Sequence, residues 1–338
     1  MQSFPGQKLF LMVLAVGLSA AAVADESRDW LERMNKALMT RNYDGVFSHW
    51  QGSHVETLRI IHRVVGGDVR ERLVSLDGSG REFIRNGAEL TCYLPDKRVV
   101  LIERRPNQDP LLGGLPKFEA TDAGLYDTAA LERVRLMGRE TRMITVMPKD
   151  EFRYGYRLWV DEKTAMPLKT QLCDGRGRVI EQMVFANLVL PPTIEDSAFK
   201  PDVATRGFQI LRNDSGQEML TRPILWSALR LPPGFREAAR KSQLMPGGRD
   251  PVAHLVFTDG LASVSVFVES SPAPGSPPGA PPPEISGAAR MGSASTFSTV
   301  VEGHRVIAVG EVPPGTVQFI AKSMKPQQAG HFTAPSHR

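Results

Sequence analysis

The stretch Arg81–Glu103, REFIRNGAELTCYLPDKRVVLIE, decides how this chain folds. Asn86-Gly87 is its strongest hairpin pair, since both residues tolerate the left-handed backbone of a two-residue turn. Arg81–Arg85 runs into that turn as a strand and Glu89–Leu94 returns from it. Pro95-Asp96-Lys97 then turns the chain into Arg98–Glu103. Successive hairpins need no crossover helices. The pattern therefore predicts an antiparallel sheet rather than a doubly wound α/β fold.

The same rhythm extends in both directions. Upstream, Tyr43–Trp50 reads as a first strand and Thr57–Val64 as a second, with Leu58, Ile60 and Val64 alternating against Arg59 and Arg63. Gly66-Gly67 turns the chain into Val69–Leu76, and Asp77–Gly80 into Arg81–Arg85. Downstream, Glu140–Met147, Tyr154–Asp161, Leu168–Cys173 and Val179–Asn187 read as strands, with hairpin turns at Asp161–Thr164 and Asp174–Arg178. Arg104–Lys117 carries three prolines and a Gly113-Gly114 pair, and reads as a long loop. Asp127–Arg135 is expected to be a short helix. An amphipathic helix is expected over Asp29–Arg41, where Trp30, Leu31, Met34, Ala37 and Leu38 share one face. The fold class is thus α+β and mostly β: about ten strands in one strongly curved sheet, with a helix or two against its concave face.

A sheet so apolar on its concave side must be filled, by helices or by a guest such as an acyl chain. Leu58 and Ile60 belong to that side. Arg59, Arg63, Arg70, Arg72, Arg81 and Arg85 recur through three adjacent strands and would share a basic face. That face is either an anion-binding surface or the solvated outside of the sheet.

The chain has 338 residues, which favours two domains. Residues 1–24 read as a signal peptide. Lys8 supplies a weak positive start, Leu9–Leu18 a short apolar core, and Ala22-Val23-Ala24 a small-x-small site for cleavage before Asp25. The apolar core is too short to span a bilayer. A large domain is expected over 25–190, a linker over 191–207 where Pro191-Pro192 and Pro201 interrupt all periodicity, a smaller domain over 208–325, and a disordered tail over 326–338. The small domain is marked by His254–Glu269, HLVFTDGLASVSVFVE. There Asp259-Gly260 feeds a strand whose Val264, Val266 and Val268 form one buried face. Arg305–Val309 is its expected partner strand, and a helix near Gly315–Met324 closes the domain. Asp259, Gly260, Leu261 and Phe267 are the more exposed features of that stretch and the candidate partner contacts. Ser270–Pro283, SSPAPGSPPGAPPP, is too proline-rich to pack a core and reads as a solvated extended loop.

Forty-one lysines and arginines against 37 acidic residues give a net charge of +4. That modest, dispersed balance and the export signal argue against nucleic acid as a partner. The two cysteines, Cys92 and Cys173, both lie in expected strands. They could pair in an oxidising compartment or stay as plain buried residues. His49, His54 and His62 do not have metal-ligand spacing, and no metal or other cofactor is expected. No Gly-x-Ser-x-Gly elbow, His-Glu-x-x-His helix or phosphate loop is present, so the chain is not expected to be an enzyme.

Several motifs carry a resemblance. Asn42–Phe47, Glu56–Arg59, the hairpin TCYLPDKRVV at Thr91–Val100, WVDEKTAMPL at Trp159–Leu168, the Leu231–Phe235 turn, Phe257–Glu269 and VGEVPPGTVQFIA at Val309–Ala321 together resemble the RseB/MucB family, the periplasmic regulators of sigma-E-type envelope stress responses. The resemblance covers nearly the whole mature chain. It implies a large domain like the lipoprotein carriers LolA and LolB, an unclosed β-barrel with helices over an apolar cavity, followed by a mixed α/β domain. It implies a soluble periplasmic protein that binds the periplasmic part of a membrane-spanning anti-sigma factor (RseA or MucA) and shields it from the site-1 protease. Lipopolysaccharide or mislocalised lipoprotein would release it, and a homodimer is compatible with the family. Cys173 and the length of the proline-rich loop lie outside the family pattern. The competing reading is a lipid or lipoprotein carrier, which would have no need of the second domain.

Overall fold

The computed structural model describes residues 26–104, 111–112, 124–213, 224–244, 251–269 and 287–327. It divides into two compact units, Met1–Lys149 with Gly155–Asn213, and Asp150–Tyr154 with Asp214–Arg338.

The large unit opens with a helix, α1, over residues 26–40. Trp30, Leu31, Met34, Ala37 and Leu38 are all buried, which is the apolar face read from the sequence. Twelve strands follow in a single sheet. They are β1 (Tyr43–Gln51), β2 (His54–Val65), β3 (Asp68–Ser75), β4 (Glu82–Asn86), β5 (Glu89–Leu94), β6 (Val99–Arg104), β7 (Tyr126–Leu136), β8 (Arg139–Pro148), β9 (Gly155–Asp161), β10 (Pro167–Cys173), β11 (Val179–Val189) and β12 (Gln209–Asn213). Their order is β12-β6-β5-β4-β3-β2-β1-β11-β10-β9-β8-β7. Two meanders, β1–β6 and β7–β11, are joined where β1 pairs β11 antiparallel. Among the described strands, only β12 on β6 is parallel. Among the described residues the end strands, β12 and β7, have no further neighbour, so the barrel is not closed.

Local chemistry explains most of this sheet. The first meander turns at Gly87, whose φ of 58° needs no Cβ to be accommodated. Gly45 is required for a different reason: a Cβ there would meet the Phe185 ring at 2.6 Å, so its absence lets β1 approach β11.

Asp127–Arg135 is a strand, not the expected helix. It forms the body of β7 and pairs with β8 from Tyr126↔Pro148 to Leu136↔Arg139, with a bulge between Ala130 and Arg133. Its Ala-Ala-Leu-Glu-Arg run favours a helix locally, and cross-strand pairing overrides that weak preference. The missed cue is Met137-Gly138, two residues at positive φ (52° and 73°) that build a tight hairpin turn.

Cys92 and Cys173 are both buried and are not joined in a disulfide, so the pairing an oxidising compartment allows is not formed. Cys92 lies on β5 and Cys173 on β10, with β4, β3, β2, β1 and β11 between them in the sheet. The expected signal peptide, the proline-rich Ser270–Pro283 and the tail from residue 328 lie outside the described residues, as does all of the Arg104–Lys117 loop except Arg104, Leu111 and Leu112.

The small unit is a six-stranded antiparallel sheet ordered β14-β15-β16-β19-β18-β17. Its strands are β14 (Arg236–Leu244), β15 (Pro251–Thr258), β16 (Ser263–Val268), β17 (Gly287–Met291), β18 (Ala294–Val301) and β19 (His304–Gly310). His254–Glu269 is therefore a hairpin of two strands, and Asp259–Ala262 is its turn. The partner expected at Arg305–Val309 is in place: Val264, Val266 and Val268 pair with Gly310, Ala308 and Val306. Helix α2 (Pro314–Ser323) starts with Pro at its first position, where no intrahelical N–H is needed. The helix packs on β18 and β19, and its Val317, Ile320 and Ala321 share one buried core with Val264, Val266, Val268, Leu255 and Phe257. A two-stranded ribbon, β13 (Trp226–Ala228) with β20 (Met324–Pro326), adds Trp226 and Met324 to it.

Candidate functional site

The arginines come first, because the sequence places them on one face. β2 and β3 pair with Ile61 opposite Arg72 and Arg63 opposite Arg70. Strand alternation then puts Arg59, Arg63, Arg70 and Arg72 on one side of the sheet. Each already has a carboxylate. Arg59 donates twice to Asp44, at 2.9 and 2.7 Å. Arg63 donates to Asp196 and to the Ile194 carbonyl at 2.6 Å, and its guanidinium lies 5.0 Å from the Phe199 ring. Arg70 donates to the same Asp196 at 3.1 Å. The hydrogen bond and charge of Arg63 hold the Asp196 carboxyl below its usual range.

Arg72 is buried. It donates to Glu82 at 3.0 Å and to Asp202 at 2.6 Å. Residues 194–202 thus lie against this side of the sheet, and the expected open basic face is largely covered and neutralised by the chain itself. Arg81 pairs with Glu56. Arg85 lies on the opposite side, because it faces Glu71 across β3 and β4.

That opposite side is the buried one, where Leu58 and Ile60 sit with 8% and 0% exposure. A row of polar side chains crosses it in register. Tyr43 faces His62, His62 faces Glu71, and Glu71 faces Arg85. The Tyr43 and His62 rings stack at 4.5 Å. His62 Nδ1–H donates to the Arg41 carbonyl at 2.8 Å, while its Nε2 lies 3.9 Å from Glu71. The Glu71 carboxylate accepts the Leu111 N–H at 3.1 Å and has Arg85 Nε at 3.5 Å. Burial pushes the Glu71 carboxyl up to about 7, against the pull of Arg85 and the Leu111 N–H. Burial drives His62 down to about 4, with the Arg85 charge acting in the same direction. It also raises the Tyr43 hydroxyl well above its ordinary value, helped by Glu71. This polar row in an otherwise apolar face has no periodic signature, since its members are scattered from residue 43 to residue 85.

In the small unit the candidate contacts separate. The sequence suggests an exposed Asp259, but its side chain is wholly buried. Its Oδ1 accepts the Leu261 and Ala262 N–H groups at 2.9 and 2.7 Å, which shapes the turn. Its Oδ2 accepts Arg153 Nη1 at 2.6 Å. Gly260 and Leu261 are partly exposed at the tip of that turn. Phe267 is partly exposed too, on the second face of β16, stacked on His254 at 4.4 Å. Burial and the Lys241 charge lower His254 to about 4.

His49 pairs with Glu181 at 2.8 Å, and His54 is exposed. Among the described residues, no group of three or more His, Cys, Asp or Glu could hold a metal ion. No described helix is long and apolar enough to cross a membrane.

Comparison with known proteins places this geometry in a family. Residues 26–203 match the MucB/RseB N-terminal domain and residues 220–325 the MucB/RseB C-terminal domain. The chain is 30% identical over 333 residues to the sigma factor AlgU regulatory protein MucB of Pseudomonas aeruginosa, covering 95% of this chain and 97% of that one. It is 27% identical over 334 residues to the sigma-E factor regulatory protein RseB of Escherichia coli K12, covering 94% and 98%. Its fold is similar to that of MucB solved in complex with MucA(peri), with a TM-score of 0.69, 28% identity and coverage of 90% of this chain and all of that one. With both domains matched in order over nearly the full length, the chain belongs to the MucB/RseB family.

Proposed function

We propose that this protein is a periplasmic regulatory binding protein, not an enzyme. It holds the periplasmic segment of a membrane-spanning anti-sigma factor and shields it from site-1 proteolysis. One observation carries this reading: the chain is similar, across both of its units, to MucB as it was solved in complex with MucA(peri). Gly260, Leu261 and Phe267 remain candidate contacts for that partner, whereas Asp259 acts by shaping the turn that presents the first two.

Release follows from linkage. A lipopolysaccharide or mislocalised lipoprotein signal that binds the free form better than the complexed form weakens the complex by the same factor. A signal bound equally by both forms releases nothing. The decisive experiment is calorimetric titration of the mature chain with the cognate anti-sigma periplasmic segment, repeated in the presence of lipopolysaccharide fragments. Saturable binding that the fragments weaken supports the reading. Absence of binding to the segment overturns it, and binding that the fragments leave unchanged removes lipopolysaccharide as the signal.

A further inference from the structure

We infer that a recess beside the C-terminal end of α1 binds a phosphate ester. The recess has a volume of about 360 Å³ and lies wholly within the large unit. One wall is a face of α1 and the residue after it, contributing Arg33, Lys36, Thr40 and Arg41. Their spacing of three, four and one residues brings them to one side of the helix end. The other wall is the turn between β9 and β10, contributing Lys163 and Thr164.

Four cations therefore surround one opening, and the large unit has little to neutralise them. Only Arg33 has a carboxylate, Asp29 at 3.6 Å, and that pair is largely exposed. Lys36, Arg41 and Lys163 form no ion pair among the described residues, and all three are exposed. The acidic residues next to Lys163 are already committed. Asp161 accepts from Thr164 and lies 3.4 Å from Arg139, while Glu162 pairs with Arg133 at 2.8 Å. This differs from the arginines of β2 and β3, each of which meets a carboxylate.

Helix carbonyls offer a simpler account of basic residues at this end, but only in part. The end of a helix carries roughly half a negative charge, so it balances a fraction of the positive charge on Lys36, Arg41 and Lys163. The remainder favours a multiply charged, compact anion. Lysine ammonium groups and arginine forks lining one recess suit the oxygens of a phosphate, which several donors can share. A volume near the lower end of small-ligand sites suits a headgroup rather than an acyl chain. The phosphate is that of a soluble ester or that of a lipid headgroup at a membrane surface.

The test uses the full mature chain at low ionic strength. Glucose 6-phosphate, with glucose as the uncharged control, is titrated calorimetrically. Phosphatidylcholine vesicles with and without phosphatidic acid are assayed by flotation. The Lys36→Gln/Lys163→Gln double variant is compared with Arg178→Gln, an exposed arginine outside the recess, and thermal melts confirm that both are folded. The expected result is saturable binding to the phosphate ester or to the phosphatidic acid vesicles, at least tenfold weaker in the double variant and unchanged in Arg178→Gln. Binding to both probes identifies a general phosphate site, and binding to the vesicles alone identifies a lipid headgroup. Failure of both probes to bind, or equal binding by the double variant and the parent, overturns the inference.

Discussion

Arg153 Nη1 lies 2.6 Å from Asp259 Oδ2, and neither side chain has any exposure to solvent. The two residues are 106 positions apart, yet both belong to the small unit, which takes Asp150–Tyr154 as well as Asp214–Arg338. The guanidinium also donates to Asp150 at 3.0 Å and to the Pro233 carbonyl at 2.6 Å, and lies 5.3 Å from the Phe235 ring. Thr316 of α2 fastens the same short segment by donating to the Phe152 carbonyl at 2.7 Å.

Arg153→Met should therefore destabilise the small unit severely. Removing one partner of a buried pair leaves the other charge uncompensated, at a cost of about 3–5 kcal/mol. Asp259→Asn should destabilise it too: the amide oxygen can still accept in the turn, but the amide NH2 then faces the Arg153 Nη1 donor and the guanidinium loses a buried counter-charge. Hydrogen exchange of the β15, β16 and β19 amides across a urea series reports this unit. A loss below about 1 kcal/mol for Arg153→Met would show that the pair is not structural. A fragment beginning at Asp214 lacks Arg153, and should melt at lower temperature than the same unit in the intact chain.

The polar row of the large unit predicts a pH response with a particular sign. Ordinary values are 4.5 for Glu71 and 6.5 for His62, and the fold shifts them to about 7 and about 4. Between pH 4.5 and 6.5 the unfolded chain holds one proton on His62, and the folded chain holds one on Glu71. The counts are equal, so the pair gives the parent no slope in that window. His62→Asn leaves Glu71 alone. Its raised value makes stability fall as pH rises from 4.5 through about 7, by about 3 kcal/mol in all. Glu71→Gln leaves His62 alone. Its lowered value makes stability fall as pH drops from 6.5 through about 4, by a similar amount. Urea melts across about pH 4–8 should show opposite slopes in the two variants. Slopes of the same sign would refute the assignment.

Legibility in the sequence follows the range of the interactions. Strand periodicity and turn residues act over a few positions, so the first meander, the β16–β19 pairing and α2 can be read from the residues alone. β7 cannot, because Ala129–Arg133 favours a helix until β8 supplies the pairing. Arg72 reads as a surface residue on a polar face, and nothing local says that residues 198–202 will cover it. Asp259-Gly260 signals a turn correctly. That the carboxylate points inward to Arg153 depends on a residue from a remote segment, and no spacing rule reaches that far.

Two glycines near the end of the chain should respond in opposite directions to alanine. Gly310 ends β19, where a Cβ would meet the Ser263 carbonyl oxygen at 2.5 Å and Val264 Cγ2 at 3.0 Å. Backbone and a buried valine cannot both yield, so Gly310→Ala should cost about 1–3 kcal/mol. Gly315 lies in the first turn of α2, and a Cβ added there would meet no atom within 4 Å. Gly315→Ala should stabilise by about 0.4–1 kcal/mol, through reduced freedom of the unfolded chain and better helix propensity. Thermal melts decide it, and a stabilised Gly310→Ala would contradict the packing.

The arginines of β2 and β3 should differ sharply in what they contribute. Arg72 is a buried fork shared by Glu82 and Asp202, and it also donates to the Ala198 carbonyl at 3.3 Å. Arg72→Gln strands the buried Glu82 carboxylate, and should cost about 3 kcal/mol or more. It should also loosen residues 198–202, because two of the bonds that hold them on the sheet end at this guanidinium. Arg59 makes two good hydrogen bonds to Asp44, but its side chain is 46% exposed. Solvent screens that pair, so Arg59→Gln should cost no more than about 1 kcal/mol. Hydrogen exchange separates the two variants: amides at residues 198–202 should lose protection in Arg72→Gln and keep it in Arg59→Gln. Equal protection in both would mean that the segment is held by Phe199 and Asp196 without help from Arg72.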